Sequence, residues 1–253
     1  MIFGRIIDGR DTVVSTQDIA REKALTGAPA GTVISAEFQT GGRGRQGKAW
    51  FAPHGANVCM TVIGPPVVQA EAWQVALLAG VSVVEGIALC LPDLEPPPRL
   101  RFPNDVTIGG RKVSGVLVEV VPHPKPGYVT PLIGIGVNVN IPTETFPEEL
   151  RDRATSLQRE TGEAMRNKGI LQGLILRRLG LNWVAFTRGP LGEAILPRWR
   201  ELADPDARRL FVLDGTPTLC RILDLALGGT VTLEAEDGRT HSLHAAQVIF
   251  GDD

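Results

Sequence analysis

An apolar run of 20 residues, AWQVALLAGVSVVEGIALCL at positions 72–91, limits the folds open to this chain more than any other feature. A stretch of this length is sufficient to cross a bilayer as one helix. It contains Gln74 and Glu85, however, and no lysine or arginine flanks it. A carboxylate in lipid is costly, and interfacial cations usually anchor such a span. The run therefore predicts a helix buried in a protein core, and no membrane association is expected.

The composition is that of an ordinary globular protein. Of the 253 residues, 43% are hydrophobic and 21% charged, enough for one large domain or for a large and a small one. The net charge of -2 argues against a broad nucleic-acid surface, which usually needs a basic face. The N-terminus lacks a secretory signal pattern. We expect a cytoplasmic protein with three buried free thiols, Cys59, Cys90 and Cys220.

Hydrophobic patterning predicts an α+β domain followed by a small β domain. A Ser15-x-x-Asp18 pattern resembling a capping box begins a short helix, and a long helix covers about 69–91. Helical spacing returns before residue 204, after which short strand patterns alternate with the turns LDGT, LGGT and EDGR. Four runs are typical of strands in the first domain: 31–38, 56–64, 112–121 and 129–141. The predicted domains are residues 1–204 and 205–253.

The loop QTGGRGRQGKAWF, residues 39–51, contains the glycine spacing G-x-G-x-x-G of a dinucleotide-binding fingerprint. That fingerprint requires a helix after the glycines and an acidic residue about 20 positions further on. No helical pattern follows here, and no acidic residue occurs between Glu37 and Glu71. The sequence therefore argues against a dinucleotide-binding fold.

The same loop carries Arg43, Arg45 and Lys48 on a glycine-rich backbone. Amide N–H groups and guanidinium forks of this kind can surround an anion. Trp50, immediately downstream, offers an aromatic plane suited to covering a base. A solvated surface turn has the same glycine and arginine content, so that both interpretations stay open.

Two further stretches carry unusual polar residues. Asn104 and Asp105 follow a proline in a turn that serves either a site or local capping, and Lys112 comes seven residues later. Gly115 lies inside a predicted strand, where a missing side chain lets a ligand approach closely. In GIGVNVN, the strand glycines precede Asn138, whose amide can donate to and accept from a base edge; a bulge in a twisted sheet is the alternative.

Together these stretches resemble the biotin protein ligases, over about residues 8–160. The family's Gly-Arg-Gly-Arg-x-Gly loop with its tryptophan, its Lys-Trp-Pro-Asn-Asp block, its Lys-x-x-Gly-Ile-Leu-x-Glu block and its Gly-x-Gly-x-Asn block occur in the same order. VSTQ and ATSL also resemble family segments. The matching positions are Gly42–Gly47 with Trp50, Arg101–Asp105, Lys112–Glu119 and Gly134–Asn138.

The resemblance implies an α+β fold with a mixed β-sheet of the biotin/lipoate ligase, class II aminoacyl-tRNA synthetase-like type, and a C-terminal SH3-like β-barrel. It implies that biotin and MgATP react to biotinyl-5'-AMP and pyrophosphate. Biotin then passes to one lysine of a biotin carboxyl carrier protein. A homodimer formed through a sheet edge is compatible with this fold. The catalytic pattern begins almost at the N-terminus, so no DNA-binding domain is expected.

The resemblance also implies roles for single residues. Lys112 would bind the reacting carboxylate and α-phosphate, and Asp105 would orient the acceptor amine or hold Mg²⁺. Arg43 and Arg45 would bind phosphate on a loop that orders over the ligand. The positions implied for biotin are Ser15, Thr16, Gln39, Gly42, Arg43, Lys112 and Gly115. Those implied for the nucleotide are Arg43, Arg45, Trp50, Asn104, Lys112 and Asn138.

The chain departs from the family pattern at three motif positions and in its C-terminal part. Arg101 and Phe102 replace lysine and tryptophan, and Gln17 replaces asparagine after Ser-Thr. The C-terminal part lacks the family's usual glycines and its Gly-Glu-Val ending. These departures leave the contribution of the C-terminal domain to the site undecided.

Three other functions are alternatives to the ligase. A lipoate-type ligase shares the chemistry, but lipoate has no ureido group for a polar ring pocket. A biotin-binding remnant without turnover would not need Lys112, Arg43 or Arg45. A metalloenzyme is disfavoured, because His241 and His244 would point to opposite faces of a strand and the cysteines do not cluster. No metal-binding residues are predicted.

Overall fold

The computed structural model describes residues 3–186, 193, 195–226 and 228–245, so that the predicted end of the second domain, 246–253, lies outside the described residues. The strands are β1 Ile7–Val13, β2 Val33–Gln39, β3 Asn57–Ile63, β4 Val67–Val68, β5 Arg99–Arg101, β6 Asp105–Ile108, β7 Arg111–Pro122, β8 Tyr128–Asn138, β9 Arg208–Leu213, β10 Thr216–Leu225, β11 Thr230–Ala235 and β12 Thr240–His244. The helices are α1 Thr16–Leu25, α2 Gln74–Cys90, α3 Leu157–Thr161, α4 Lys168–Phe186 and α5 Ile195–Leu202.

The larger sheet has eight strands in the order β1-β2-β3-β8-β7-β6-β5, with β4 paired to β8. Strands β1 and β2 are parallel, and the other pairs are antiparallel. Helix α1 packs on one face, where Ala20 joins Ile34 and Leu132 in a small core. Helices α2 and α4 cover the other face with the main core. This mixed sheet confirms the predicted α+β class.

Helix α2 is the predicted core helix, and it is buried on almost every side. Its carboxylate, Glu85, accepts hydrogen bonds from Asn182, Arg178 and Arg198 at 2.9, 2.8 and 3.0 Å. Burial alone would raise the pKa of Glu85, but these bonds outweigh it and lower the pKa. The helix begins at Gln74, after a 3₁₀ turn, so the predicted start near residue 69 was wrong. Within the described segments, no helix has the length and apolarity of a membrane span.

The N-terminal helix differs from the prediction in one detail. Ser15 caps α1 as expected, because its side chain accepts a hydrogen bond from the backbone N–H of Gln17. Asp18 does not complete a capping box, since its carboxylate pairs with Arg43 instead. The first turn of α1 is thereby joined to the glycine-arginine loop.

The second sheet is antiparallel, with the order β12-β11-β10-β9, and confirms the predicted SH3-like β domain. Its first hairpin turns through Asp214 and Gly215, both with positive φ, as the LDGT signal predicts. Strand β9 begins at Arg208, and the domain division at residue 204 stays a prediction. The three cysteines are free; Cys59 and Cys220 are buried as expected, whereas Cys90 is partly exposed.

Candidate functional site

A cavity of about 250 Å³ lies over strands β7 and β8, under the glycine-arginine loop. It is lined by the start of α1, the loop at 43–51, the turn before β6, β7 with β8, the segment 146–154, and single residues of β2, β3, β5 and β9. Of the predicted site residues, only Gly42 is not part of its lining. Those that line it are Ser15, Thr16, Gln39, Arg43, Arg45, Trp50, Asn104, Asp105, Lys112, Gly115 and Asn138.

Strand register explains why distant motifs meet here. Asp105 pairs with Gly115 across β6 and β7, and Gly115 pairs with Gly136 across β7 and β8. Gly136 in turn pairs with Cys59 on β3. The three sequence blocks that contain Asp105, Gly115 and Gly136 thus contribute one position each to a single row that crosses the sheet. The cavity stands on this row.

The glycines of that row let two functional side chains lie directly on the sheet. A Cβ atom at Gly136 would come within 2.5 Å of the Trp50 indole. At Gly115 a Cβ would lie 3.1 Å from the Lys112 Nζ and 3.2 Å from the indole. The Lys112 ammonium is 5.6 Å from the centre of the Trp50 ring. The predicted close approach at Gly115 is thus made in the structure by Lys112 and Trp50.

One end of the cavity is neutral and rich in hydrogen bonds. The backbone N–H and the hydroxyl of Thr16 both donate to Oε1 of Gln39, at 2.9 and 3.2 Å. The Thr16 hydroxyl also lies 2.8 Å from that of Thr61. Gln17 donates to the Leu117 carbonyl at 3.1 Å, while its Oε1 is buried without a hydrogen-bond partner among the described residues. This end therefore presents fixed neutral dipoles and a spare acceptor.

The other end is cationic around a single buried carboxylate. Asp105 is 2% exposed, and its Oδ1 lies 2.6 Å from Lys112 Nζ. Its Oδ2 lies 3.2 Å from Arg101 and 3.3 Å from Arg209. Burial would raise the pKa of Asp105, but the charges of Lys112, Arg209 and Arg101 outweigh it and lower the pKa. The cationic residues that line the cavity are Arg43, Arg45, Lys48, Arg101, Lys112, Arg153 and Arg209.

The glycine-arginine loop is anchored at its base. The backbone N–H of Trp50 donates to the Gly42 carbonyl at 3.0 Å. Gly42 is buried in this contact at the base of the loop and does not line the cavity. The exposed Arg43 forms two hydrogen bonds with Asp18, at 2.5 and 3.1 Å. Arg45 is more buried, and both burial and the nearby charge of Arg209 lower its pKa. The two arginines therefore occupy different environments.

The two predicted asparagines hold the walls of the cavity. Asn104 donates its side-chain amide to the carbonyl of Val116 on β7, so it caps no group of its own turn in this bond and joins the turn to the neighbouring strand. Asn138 donates to the Thr155 carbonyl at 2.9 Å and accepts from Asn57 at 3.2 Å. Both amides are thus engaged with protein groups, and nucleotide contacts by Asn104 and Asn138 stay predictions.

Sequence reasoning missed several residues that line the cavity. Arg209 comes from β9, and no motif surrounds it. Arg153 precedes the ATSL segment and is held beside β7, because Lys112 N–H donates to its carbonyl at 2.8 Å. Gln17 was noted only as a departure from the family pattern. The ATSL resemblance was the one signal near Arg153; only the folded chain reveals Arg209 in the site.

The described residues contain no cluster of three or more histidine, cysteine, aspartate or glutamate side chains suited to a metal ion. Asp105 is the only carboxylate among the described residues that line the cavity. Both of its oxygens contact cationic side chains, whose positive charges would repel a Mg²⁺ ion at this carboxylate.

Comparison with known proteins gives concordant results. The model of the biotin/lipoate A/B protein ligase family matches residues 10–140. The bifunctional ligase/repressor BirA of Bacillus spizizenii is 36% identical over 176 residues, which cover 69% of this chain and 53% of the relative. The biotin--[acetyl-CoA-carboxylase] ligase of Mycobacterium tuberculosis is 35% identical over 235 residues, 90% of this chain and 82% of the relative. This chain thus spans about half the length of the Bacillus relative and most of the mycobacterial one.

Among solved structures, the biotin protein ligase from Aquifex aeolicus in complex with biotin and ATP superposes with a TM-score of 0.77. It is 26% identical, and the match covers 98% of this chain and 100% of that one. The biotin protein ligase of Leishmania major in complex with biotinyl-5-AMP has a TM-score of 0.63 at 23% identity, which is a likeness of fold. That match covers 94% of this chain and 98% of the Leishmania chain.

Proposed function

The chain belongs to the biotin/lipoate A/B protein ligase family, and on that premise we propose that it is a biotin protein ligase. It would activate biotin with MgATP to biotinyl-5'-AMP and then biotinylate one lysine of a biotin carboxyl carrier protein. The observation that carries this proposal is the cavity itself. A neutral, hydrogen-bonded end and a cationic end are joined over one row of strand residues.

The neutral end suits the ureido ring of biotin. Its N–H groups need acceptors and its carbonyl needs donors, and Gln17, which lines the cavity, has an Oε1 without a hydrogen-bond partner among the described residues. Ser15, Thr16 and Gln39 belong to the same hydrogen-bonded group. A dithiolane ring would leave these groups unpaired, which selects against lipoate. The Aquifex aeolicus relative with biotin and ATP bound supports the same choice of substrate.

The cationic end suits the meeting of two anions. In the first step a biotin carboxylate oxygen forms a bond to the α-phosphorus, and the bond from that phosphorus to the pyrophosphate oxygen breaks. Lys112, 31% exposed and pointing into the cavity, can contact both reactants and offset their repulsion. Arg43 and Arg45 supply further positive charge from the loop. Catalysis then rests on positioning and on charge, without a protein nucleophile.

In the second step the acceptor lysine's neutral amine attacks the acyl carbon and forms an amide bond, the bond from that carbon to the phosphate oxygen breaks, AMP leaves, and the amine proton passes to solvent. Asp105 orients Lys112 rather than binding a metal, since cations occupy both of its oxygens. The residues therefore do not fit a resident Mg²⁺ site. Magnesium would enter as the counterion of the ATP phosphates, as part of the substrate.

The architecture supports three further parts of the proposal. Residues 1–204 form the catalytic domain, and 205–253 the SH3-like domain. The protein acts in the cytoplasm, in keeping with three free cysteines. Two copies can pair through β1, the edge strand of the larger sheet, which is largely exposed.

Transfer of biotin to a purified carrier domain tests the proposal. The chain is incubated with MgATP and either biotin or lipoate, and pyrophosphate release and carrier mass are followed separately. The matched control is a carrier whose acceptor lysine is replaced by arginine. We expect biotin-dependent pyrophosphate release, and one biotin added to the unmodified carrier only. Equal use of lipoate would favour the lipoate-type ligase, and the absence of both reactions would favour a ligand-binding remnant.

A further inference from the structure

The segment that precedes the C-terminal sheet is joined to the strand that leads into the cationic end. Asp204 N–H donates to the Leu100 carbonyl at 2.8 Å, just before β9 begins. The Trp199 ring packs edge-on against Phe102, with centroids 6.1 Å apart. This joint lies three to five residues before Asp105 along the chain. The position of β9 is therefore fixed relative to the reacting centre.

The side chain of Arg209 extends from β9 to Phe102 and Asp105. Its Nη1 donates to the Phe102 carbonyl at 3.0 Å and lies 3.3 Å from Asp105 Oδ2, and its side chain is 16% exposed. The neighbouring Arg208 is exposed and belongs to no part of the cavity lining among the described residues. One strand thus carries two adjacent arginines, of which one enters the site.

The oxygens of Asp105 are divided between two tasks. Oδ1 faces Lys112, whereas Oδ2 faces Arg101 and Arg209. A carboxylate held at Oδ2 keeps Oδ1 aimed at the lysine, which leaves the ammonium partly exposed to the cavity. Without Arg209, Oδ2 would lose one of its two cations and Arg101 alone would hold it, so the carboxylate would keep Lys112 less firmly in position. Hydrogen bonds to charged groups are strong enough for such a loss to affect catalysis.

We propose that Arg209 is a positioning residue for adenylate formation, through which the C-terminal sheet holds Asp105 and hence Lys112 in their reactive arrangement. This inference rests on the proposed biotin ligase function. It accounts for the undecided role of the C-terminal part, because that part completes the support of the reacting lysine. A purely structural arginine would instead change stability without changing the maximum rate of the chemical step.

Three variants of the full chain test this inference: Arg209→Ala, Arg209→Lys and the control Arg208→Ala. The single-turnover rate of biotinyl adenylate formation is measured across biotin concentrations, together with thermal unfolding. For Arg209→Ala we expect a maximum rate roughly 10- to 100-fold lower, with half-saturating biotin changed less than about twofold. Arg209→Lys should recover part of the rate, because it keeps the charge but lacks the planar fork. Arg208→Ala should match the wild type.

A wild-type maximum rate for Arg209→Ala would overturn the inference, and so would a change confined to half-saturating biotin. If Arg209→Ala fails to fold, Arg209→Lys decides: a reduced rate at the native unfolding temperature supports the inference, and an unchanged rate contradicts it. A wild-type chain that forms no biotinyl adenylate would instead refute the proposed function. The two failures are therefore distinguishable.

Discussion

The two ends of the cavity are built in opposite ways. The neutral end comes from Ser15, Thr16 and Gln17 at the start of one helix and from Gln39 at the end of the adjoining strand. The cationic end joins Asp105 and Lys112 to Arg209, about 100 residues away on the second sheet. Hydrogen bonds between uncharged groups organise the first, whereas ion pairs and contacts between the two sheets organise the second.

This difference has an energetic consequence. The neutral end contains hydrogen bonds between uncharged groups, whose individual contributions to stability are small. The cationic end contains a buried carboxylate that is tolerated only while its cations surround it. Changes at the neutral end should therefore alter ligand affinity. Changes at the cationic end should alter both chemistry and stability.

The largest expected effect is that of Lys112→Ala. Removing the cation that both reactants share should lower adenylate formation by about 10³-fold or more, because preorganised charge is often the largest catalytic contribution. Pyrophosphate release in the presence of biotin measures it. Lys125→Ala, an exposed lysine at the far turn of the same hairpin, is the matched control. Near-normal release by Lys112→Ala would remove this residue from the reacting centre.

Asp105→Asn should destabilise the fold by removing the negative charge at the centre of the cationic end. Because three cations lose their buried partner, the free energy of unfolding at pH 7 should fall by about 3–5 kcal/mol. The pKa of Asp105 is lowered by folding, so its stabilisation is present above about pH 4 and is lost as pH falls through the folded pKa. The difference from wild type should therefore shrink below about pH 4 in denaturant titrations.

The control for this variant is Asp152→Asn, at an exposed turn residue. It should follow the wild type at every pH. A constant difference between Asp105→Asn and wild type from pH 7 down to pH 3 would show that the charge of Asp105 does not stabilise the fold.

Thr16→Val should affect only the neutral end. The variant loses the hydroxyl that bonds to Gln39 and Thr61, so the half-saturating biotin concentration should rise about 10-fold. The maximum rate should stay within about twofold, because the cationic end is untouched. Steady-state kinetics separates the two parameters, with the exposed Thr12→Val as control. A fall in the maximum rate alone would contradict the division of the cavity into two ends.

The smallest effect is expected for Arg43→Ala. Arg43 is exposed and paired with Asp18. Ion pairs formed by exposed side chains contribute little free energy, and we expect the same of a pair between Arg43 and the adenylate. The adenylate should therefore escape only about 2- to 5-fold faster from the variant. Retention of labelled adenylate during rapid gel filtration measures this. Asp18→Ala, which releases Arg43 for the ligand, should retain the adenylate at least as long as wild type. Equal escape from Arg43→Ala and wild type would exclude this arginine from ligand retention.

The sequence predicted those features that depend on local signals. The cap at Ser15, the buried helix α2, strands β7 and β8 and the turn at Asp214 and Gly215 all follow from patterns within a few residues. The glycine and cation motifs likewise identified most of the cavity lining. Short-range patterning is sufficient when the backbone itself decides the outcome.

Other features could not be read from the sequence, because they depend on contacts between distant segments. Nothing near Arg209 indicates that it approaches Asp105. The pairing of Asp18 with Arg43 replaced a capping box that the local pattern favoured. The sequence around Asn138 is equally compatible with an amide that binds a ligand and with an amide that joins Thr155 to Asn57, as the structure has it.

The most direct test of the two-ended cavity is isotope exchange between pyrophosphate and ATP in the absence of any carrier. Exchange requires that the biotin carboxylate react reversibly with ATP. It therefore reports on adenylate formation without the transfer step. We predict exchange that depends on biotin, persists with a raised biotin requirement in Thr16→Val, and is lost in Lys112→Ala. Exchange that proceeds equally with lipoate, or that survives the loss of Lys112, would contradict this prediction.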